Sequence, residues 1–154
     1  MSRILVVDDD DTIRDTLYEL LSEEYICQTA ETAEKAFARL EADVYDVVLT
    51  DISMPGLSGV ELLGHIRQKF SETPVIIISG IDDREHAQGL IKLGAFDFVM
   101  KPFTLEKVEM SVKRAIEYRR RLLEGAAANE APNRERDQGE ANDWKIVKED
   151  SRLR

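Results

Sequence analysis

Short apolar runs alternate with stretches of helical periodicity along most of the chain. The runs are rich in β-branched residues, which favours buried strands. They lie at residues 4–7, 25–29, 47–50, 75–79 and 96–100. Between them apolar residues recur every three or four positions, as in Val60, Leu63 and Ile66, which predicts five amphipathic helices. This alternation predicts an α/β fold, a doubly wound parallel sheet with helices on both faces. The second strand is more polar than the first and third, which favours an edge position for it.

The last two predicted helices carry signals at their ends. Gly94 follows the fourth apolar face and predicts a glycine stop, and Thr104 predicts the N-cap of the fifth helix. Arginines occupy positions 119–121, where we expect the fifth helix to end, and we interpret them as complementing its C-terminal dipole. The alternative is that the helix continues through Leu122 and Leu123 as a linker to an output module.

The composition changes near Gly125. Residues 1–123 contain all the periodic elements and are predicted to form one domain. Residues 124–154 are rich in Ala, Asn, Glu, Arg and Gly and have few apolar side chains, so they are predicted to be a charged linker or tail that is poorly ordered. Residues 143–148 could instead dock as a short element or begin an output domain.

The overall composition limits the classes of function. The 154 residues carry a net charge of -10, which argues against direct nucleic-acid binding because phosphate contacts need clustered Lys and Arg. The single cysteine, Cys27, excludes an internal disulfide and is expected to be a small core residue. No apolar run approaches the roughly 20 residues that cross a bilayer, and the first strand begins too early for a signal peptide. These features predict a cytoplasmic protein with no membrane contact.

Four consecutive aspartates, at positions 8–11, directly follow the first strand. In parallel sheets the functional crevice lies at the carboxyl ends of the strands. The polar residues expected at that edge are Asp8, Asp9, Asp51, Ser79 and Lys101. Asp10 and Asp11 fall in the first turn of the next helix, where an N-cap and dipole role is favoured.

Three carboxylates with one lysine suit a hard cation such as Mg²⁺, with Mn²⁺ as a substitute. Such a cation lowers the repulsion between the acids and can bridge to a phosphoryl oxygen. A carboxylate can attack a phosphoryl group to give an aspartyl phosphate. Lys101 could then supply positive charge to the phosphoryl oxygens, and Ser79 a hydrogen bond.

The order of these motifs closely resembles the receiver domain of bacterial response regulators. The resemblance covers about residues 1–123 and is carried by the segments ILVVDDD, VLTDISMPGLSG, VIIISG and FVMKPF. It implies a flavodoxin-like five-stranded sheet of order 2-1-3-4-5. It also implies that Asp51 is the phosphorylation site and that Asp8 and Asp9 hold the Mg²⁺, with Asp51 and the backbone carbonyl of Ser53 as further ligands.

The same resemblance implies a switch and its partners. Ser79 corresponds to the switch hydroxyl, Phe98 to the switch aromatic and Lys101 to the lysine that pairs with the phosphoryl group, while the bond before Pro102 is expected to be cis. Phosphorylation would change the surface formed by the fourth helix, fifth strand and fifth helix. The implied phosphodonor is a sensor histidine kinase or a histidine phosphotransfer protein, and a phosphorylation-dependent homodimer is left open.

The resemblance also implies self-phosphorylation from small phosphodonors and autodephosphorylation. Ser53 and Ile81 occupy the two positions that modulate hydrolysis in the family. The apolar Ile81 could restrict the attacking water. His65 and His86 lie on predicted helices away from the strand ends, and we interpret them as surface or structural residues.

Three other classes fit the sequence less well. An aspartate-nucleophile phosphatase would need a second aspartate at position 53, which is Ser. A nucleotide-binding or flavin-binding module would need a Gly-rich phosphate loop, and neither GxGxxG nor GxxxxGK is present. A DNA-binding regulator would need a helix-turn-helix domain that this chain lacks. The chain could still be the receiver fragment of a longer transcriptional or enzymatic regulator, or a phosphorelay intermediate with no output domain.

Overall fold

A computed structural model describes residues 1–52, 59–80 and 84–129, and within them five strands alternate with five helices as predicted. The strands are β1 (Arg3–Val7), β2 (Ile26–Ala30), β3 (Val47–Asp51), β4 (Val75–Ser79) and β5 (Asp97–Met100). The helices are α1 (Asp11–Leu21), α2 (Ala33–Ala42), α3 (Gly59–Lys69), α4 (Arg84–Lys92) and α5 (Leu105–Asn129).

The strands form one parallel sheet in the order β2-β1-β3-β4-β5, which confirms the predicted topology and the edge position of β2. The second strand begins one residue later than predicted. The Tyr25 N–H still bonds the Leu21 carbonyl at the end of α1, and only the Ile26 N–H reaches across to Ser2. The chain order reverses between β1 and β3, so the loops after these two strands diverge there and open a crevice.

Two hydrophobic layers cover the sheet. Leu5 and Val7 of β1 pack with α2, α3 and α4, whereas Ile4 and Val6 of the same strand pack with α1 and α5. The strand is buried on both faces because successive side chains point to opposite sides. Cys27 belongs to the second layer, where burial raises the pKa of its thiol to about 12. The thiol therefore stays protonated, which supports its interpretation as a small core residue.

The helix ends follow local side-chain chemistry. The Asp10 carboxylate accepts hydrogen bonds from the backbone N–H groups of Thr12 and Ile13, which confirms its N-cap role, and Asp11 lies in the first turn. Thr104 accepts from the Lys107 N–H at the start of α5. After α4, Gly94 has φ +115°, and a Cβ there would lie 2.9 Å from Nε of Arg67. The predicted glycine stop is confirmed.

Helix α5 continues to Asn129, well past the three arginines at positions 119–121. The interpretation that these arginines complement its C-terminal dipole is therefore wrong, since its last turn has no basic residue. Arg119 instead bonds Oδ1 of Asp46 with its Nη1 at 3.0 Å. The chain divides into units of residues 1–119 and 120–154, and the part of the predicted tail beyond Asn129 lies outside the described residues. None of the helices described has an apolar stretch that could cross a membrane.

Candidate functional site

Three carboxylates meet at the carboxyl ends of β1 and β3. Asp8 directly follows β1, Asp51 ends β3, and the neighbouring residues Val7 and Thr50 are aligned in the sheet. One carboxylate oxygen from each of Asp8, Asp9 and Asp51 lies within 4.8 Å of the others. Asp8 is completely buried and Asp51 is 8% exposed, whereas Asp9 is exposed. The structure therefore brings together the three predicted acids in a cluster that reaches solvent through Asp9.

Lys101 places its ammonium beside two of these acids. Its backbone N–H donates to the Ser79 carbonyl at 2.6 Å, which ties the end of β5 to the end of β4. From there Nζ lies 3.6 Å from Oδ1 of Asp51 and 3.8 Å from Oδ2 of Asp8. Both distances exceed those of a direct charged hydrogen bond, about 2.8 Å. The Lys101 ammonium thus lies near both carboxylates but forms a direct hydrogen bond with neither.

Two buried polar atoms at this edge have no hydrogen-bond partner among the described residues, Oδ2 of Asp8 and Oγ of Ser79. Leaving such a group unsatisfied typically costs about 1–3 kcal/mol. In native proteins a buried polar group without a protein partner usually binds an ordered water or an ion, or has a catalytic role. The two atoms mark donors and acceptors that a ligand could satisfy.

The electrostatics of the cluster disfavour ionisation of its buried members. Burial and, to a smaller extent, the nearby Asp8 together raise the pKa of Asp51 to about 6, against the charge of Lys101, which lowers it. Burial also raises the pKa of Asp8, against the backbone N–H of Asp10 and the charge of Lys101, which lower it. A bound cation would reverse this balance by favouring both charged forms.

The donor set fits a hard divalent cation. Mg²⁺ takes oxygen ligands, binds through few carboxylates and keeps several waters. The Asp8 carboxylate is suited to bind such a cation. Its Oδ1 accepts a hydrogen bond from the Asp10 N–H at 2.9 Å, which orients the carboxylate, and its Oδ2 has no hydrogen bond within the described residues. The open position of Asp9 leaves room for water on the outer side.

The other predicted residues lie around this cluster or outside the described residues. Phe98 is half-buried on β5 and packs against the hydrophobic layer that contains α4. The Lys101–Pro102 peptide is cis, as predicted. The backbone ligand Ser53 and the hydrolysis position Ile81 lie outside the described residues, so their roles stay predictions.

The two histidines lie away from the cluster. His65 on α3 packs its ring against Phe37 of α2, with centroids 4.6 Å apart, and His86 is exposed on α4. Both observations agree with their interpretation as structural or surface residues.

One residue of the site was missed in the sequence. Arg14 donates from Nη1 to the backbone carbonyl of Asp8 at 2.8 Å and pairs with the Asp11 carboxylate. The available signal was its position, three residues after Asp11 and one turn into the helix that Asp10 caps. That spacing indicates an ion pair along the helix, but not a bond back to the strand end.

Comparison with known proteins identifies the group to which this arrangement is similar. The family model of the response regulator receiver domain matches residues 4–113. Regulatory protein AtoC of Escherichia coli is 37% identical over 122 residues, which are 76% of this chain and 26% of that protein. The DNA-binding transcriptional regulator NtrC of Salmonella typhimurium is 38% identical over 116 residues, 75% of this chain and 25% of NtrC. The chain thus matches about a quarter of the length of these curated relatives.

A solved structure agrees with the sequence comparisons. The response regulator receiver domain protein from Clostridium thermocellum superposes with a TM-score of 0.75 at 32% identity. The match covers 80% of this chain and 99% of that protein. The fold of the shorter relative is therefore shared almost in full.

Proposed function

The chain belongs to the response regulator receiver domains of two-component signal transduction, and from this premise we propose that it is a Mg²⁺-dependent phospho-accepting switch. Asp51 accepts a phosphoryl group from a sensor histidine kinase or a histidine phosphotransfer protein. The observation that carries the proposal is the position of Lys101, whose ammonium lies within 4 Å of both Asp51 and Asp8. Phosphoryl transfer is catalysed mainly by such placement of charge.

The proposed reaction transfers the phosphoryl group between two side chains. An oxygen of the ionised Asp51 carboxylate attacks phosphorus, the P–N bond to the donor histidine breaks, and its electron pair leaves with the imidazole nitrogen. When bound by Asp8, Asp9 and Asp51, Mg²⁺ would supply positive charge to the carboxylates and to the phosphoryl oxygens. Lys101 adds a cation on its side of the site, at 3.6 Å from the Asp51 carboxylate and 3.8 Å from that of Asp8.

Ser79 would link phosphorylation to the switch. Its buried hydroxyl lacks a hydrogen-bond partner in the described part of the chain, so a phosphoryl oxygen on Asp51 would offer an acceptor. Movement of Ser79 toward that acceptor would pull on the loop after β4 and let Phe98 pack further inward. The surface of α4, β5 and α5 then changes, which biases a two-state equilibrium toward the output form.

The test is phosphorylation by acetyl phosphate with and without Mg²⁺. We expect the wild-type chain to gain one phosphoryl group, seen as a mass increase on intact protein, only when Mg²⁺ is present. Asp51→Asn should gain none because its amide is not a nucleophile. Asp15→Asn, at an exposed acid of α1, serves as the matched control and should behave as wild type. A stable label on Asp51→Asn at the wild-type rate would overturn the assignment.

The wider role depends on the protein context. NtrC, one of the relatives that this chain matches over about a quarter of their length, is a DNA-binding transcriptional regulator. This favours the chain as the receiver part of a longer transcriptional regulator, with a phosphorelay intermediate as the alternative. The genomic sequence downstream of this chain distinguishes the two, since only the first has an output domain there.

A further inference from the structure

We propose that Arg14 is a positioning residue that fixes the connection between β1 and α1, so that Asp8 and Asp9 present their carboxylates to a divalent cation. This inference rests on the proposed function of the site. Arg14 lies one turn into α1, and its side chain is only 16% exposed. A guanidinium that is held this closely and partly dehydrated acts on geometry as well as on charge.

Arg14 binds two groups of the connection at once. Nη1 donates to the backbone carbonyl of Asp8 at 2.8 Å, and Nη2 pairs with the carboxylate of Asp11. The planar guanidinium can donate in both directions while its side chain stays still. The end of the strand and the first turn of the helix are thereby tied together through one side chain.

The bond from Arg14 completes the fixation of Asp8. The Asp8 N–H donates to the Ala30 carbonyl at 3.1 Å, and Oδ1 of Asp8 accepts from the Asp10 N–H at 2.9 Å. With its carbonyl held by Arg14, only Oδ2 is left without a hydrogen-bond partner among the described residues. Because a peptide unit is planar, fixing this carbonyl also fixes the orientation of the peptide from which Asp9 starts.

Charge and positioning predict opposite effects of removing Arg14. A positive charge near a cation site repels the cation, so its loss alone would tighten Mg²⁺ binding. Loss of positioning would weaken it, because Mg²⁺ requires near-octahedral geometry and residues that orient metal ligands typically contribute about 10–100-fold in affinity. The sign of the change therefore separates the two effects.

The experiment is isothermal titration of the metal-free chain with Mg²⁺. We expect Arg14→Gln to bind Mg²⁺ about tenfold more weakly than wild type. Arg14→Lys keeps the positive charge but loses the planar guanidinium that donates from two nitrogens, so it should also bind Mg²⁺ more weakly than wild type. Asp15→Asn is the matched control: it changes an exposed acid on the same helix, so its affinity should stay within about threefold of wild type, as is usual for exposed positions.

A second measurement separates positioning from general destabilisation. Amide hydrogen exchange of the metal-free variants should show faster exchange at the Asp10 N–H in Arg14→Gln, with unchanged exchange in β3 and β4. If wild type binds Mg²⁺ and Arg14→Gln binds it equally well or more tightly, the inference is wrong and the proposed function stands. If wild type itself does not bind Mg²⁺, both are wrong.

Discussion

Replacing Asp51 by Asn should stabilise the metal-free fold at neutral pH while it abolishes phosphorylation. Asp51 is 8% exposed, and the buried carboxylate lies beside Asp8. Ionising it in the folded state is therefore unfavourable, as its raised pKa shows. Asn has nearly the same shape and keeps an oxygen acceptor for the Ile52 N–H, but it carries no charge.

The size of the effect follows from the change in pKa. Burial and Asp8 raise the pKa of Asp51 from 3.8 to about 6 in the folded chain. A difference of about two pKa units corresponds to about 3 kcal/mol. The folded state binds the proton more tightly, so this penalty is absent below pH 3.8 and reaches its full size above about pH 6. The attraction to Lys101 is already included in this pKa, so we expect Asp51→Asn to be more stable than wild type by about 1–3 kcal/mol above pH 6.

The assay is urea unfolding by circular dichroism in EDTA, at several pH values from 4 to 7.5. The difference in unfolding free energy between Asp51→Asn and wild type should be small near pH 4 and grow to its full value by pH 7. Asp15→Asn should differ from wild type by less than about 0.5 kcal/mol, as is usual for exposed positions. Mg²⁺ at ten times its dissociation constant should stabilise wild type by about 1.4 kcal/mol. The difference in unfolding free energy between Asp51→Asn and wild type should then become smaller.

Two results would refute this reasoning. If Asp51→Asn is no more stable than wild type at pH 7.5 in EDTA, the ionised Asp51 carboxylate does not destabilise the folded chain. If the difference in unfolding free energy between Asp51→Asn and wild type is the same at pH 4 as at pH 7.5, its cause is not ionisation of Asp51.

Three further predictions address other parts of the site. Lys101→Met should slow phosphorylation by acetyl phosphate about 100-fold at saturating Mg²⁺, because one positioned charge is removed, and a change below threefold in stopped-flow rates would contradict this. Ser79→Ala should raise the unfolding free energy by about 1 kcal/mol, since it removes a buried hydroxyl that has no hydrogen-bond partner in the described part of the chain, and the variant should still accept a phosphoryl group. A less stable variant in urea unfolding would count against this. Ile81→Glu should lose its phosphoryl group faster than wild type, because a polar side chain admits the attacking water more readily than Ile does. Loss at an equal or slower rate, followed by intact mass over time, would show that Ile81 does not restrict that water.

Sequence periodicity predicted the elements well because it reports burial. Ile4 to Val7 are apolar on both faces of β1, and the structure buries all four. Errors occurred at element ends, where competing partners decide the outcome. Tyr25 lies outside β2 because its N–H donates to the Leu21 carbonyl at the end of α1. Helix α5 continues past residues 119–121, and Arg119 pairs with Asp46 rather than with the end of the helix.

The meeting of Asp8, Asp9, Asp51, Ser79 and Lys101 at one edge also followed from the sequence. The residues after parallel strands reach the same side of the sheet, so the order of strands and their last residues were enough. The relative burial of these acids was not predictable in this way. Asp8 and Asp9 are neighbours in the chain, yet one is completely buried and the other exposed.

The sequence by itself determined the α/β class, the set of acids at the strand ends and the capping role of Asp10. These depend on local pattern and on a general rule of parallel sheets. Only the tertiary structure decided that the Lys101 ammonium lies near two carboxylates without a direct hydrogen bond to either, and that Arg14 reaches back to the strand. It also decided that Oδ2 of Asp8 has no hydrogen-bond partner among the described residues. The reason is that hydrogen bonds and charge interactions change over a few tenths of an ångström to a few ångströms, and such distances are set by packing between elements that the sequence pattern does not report.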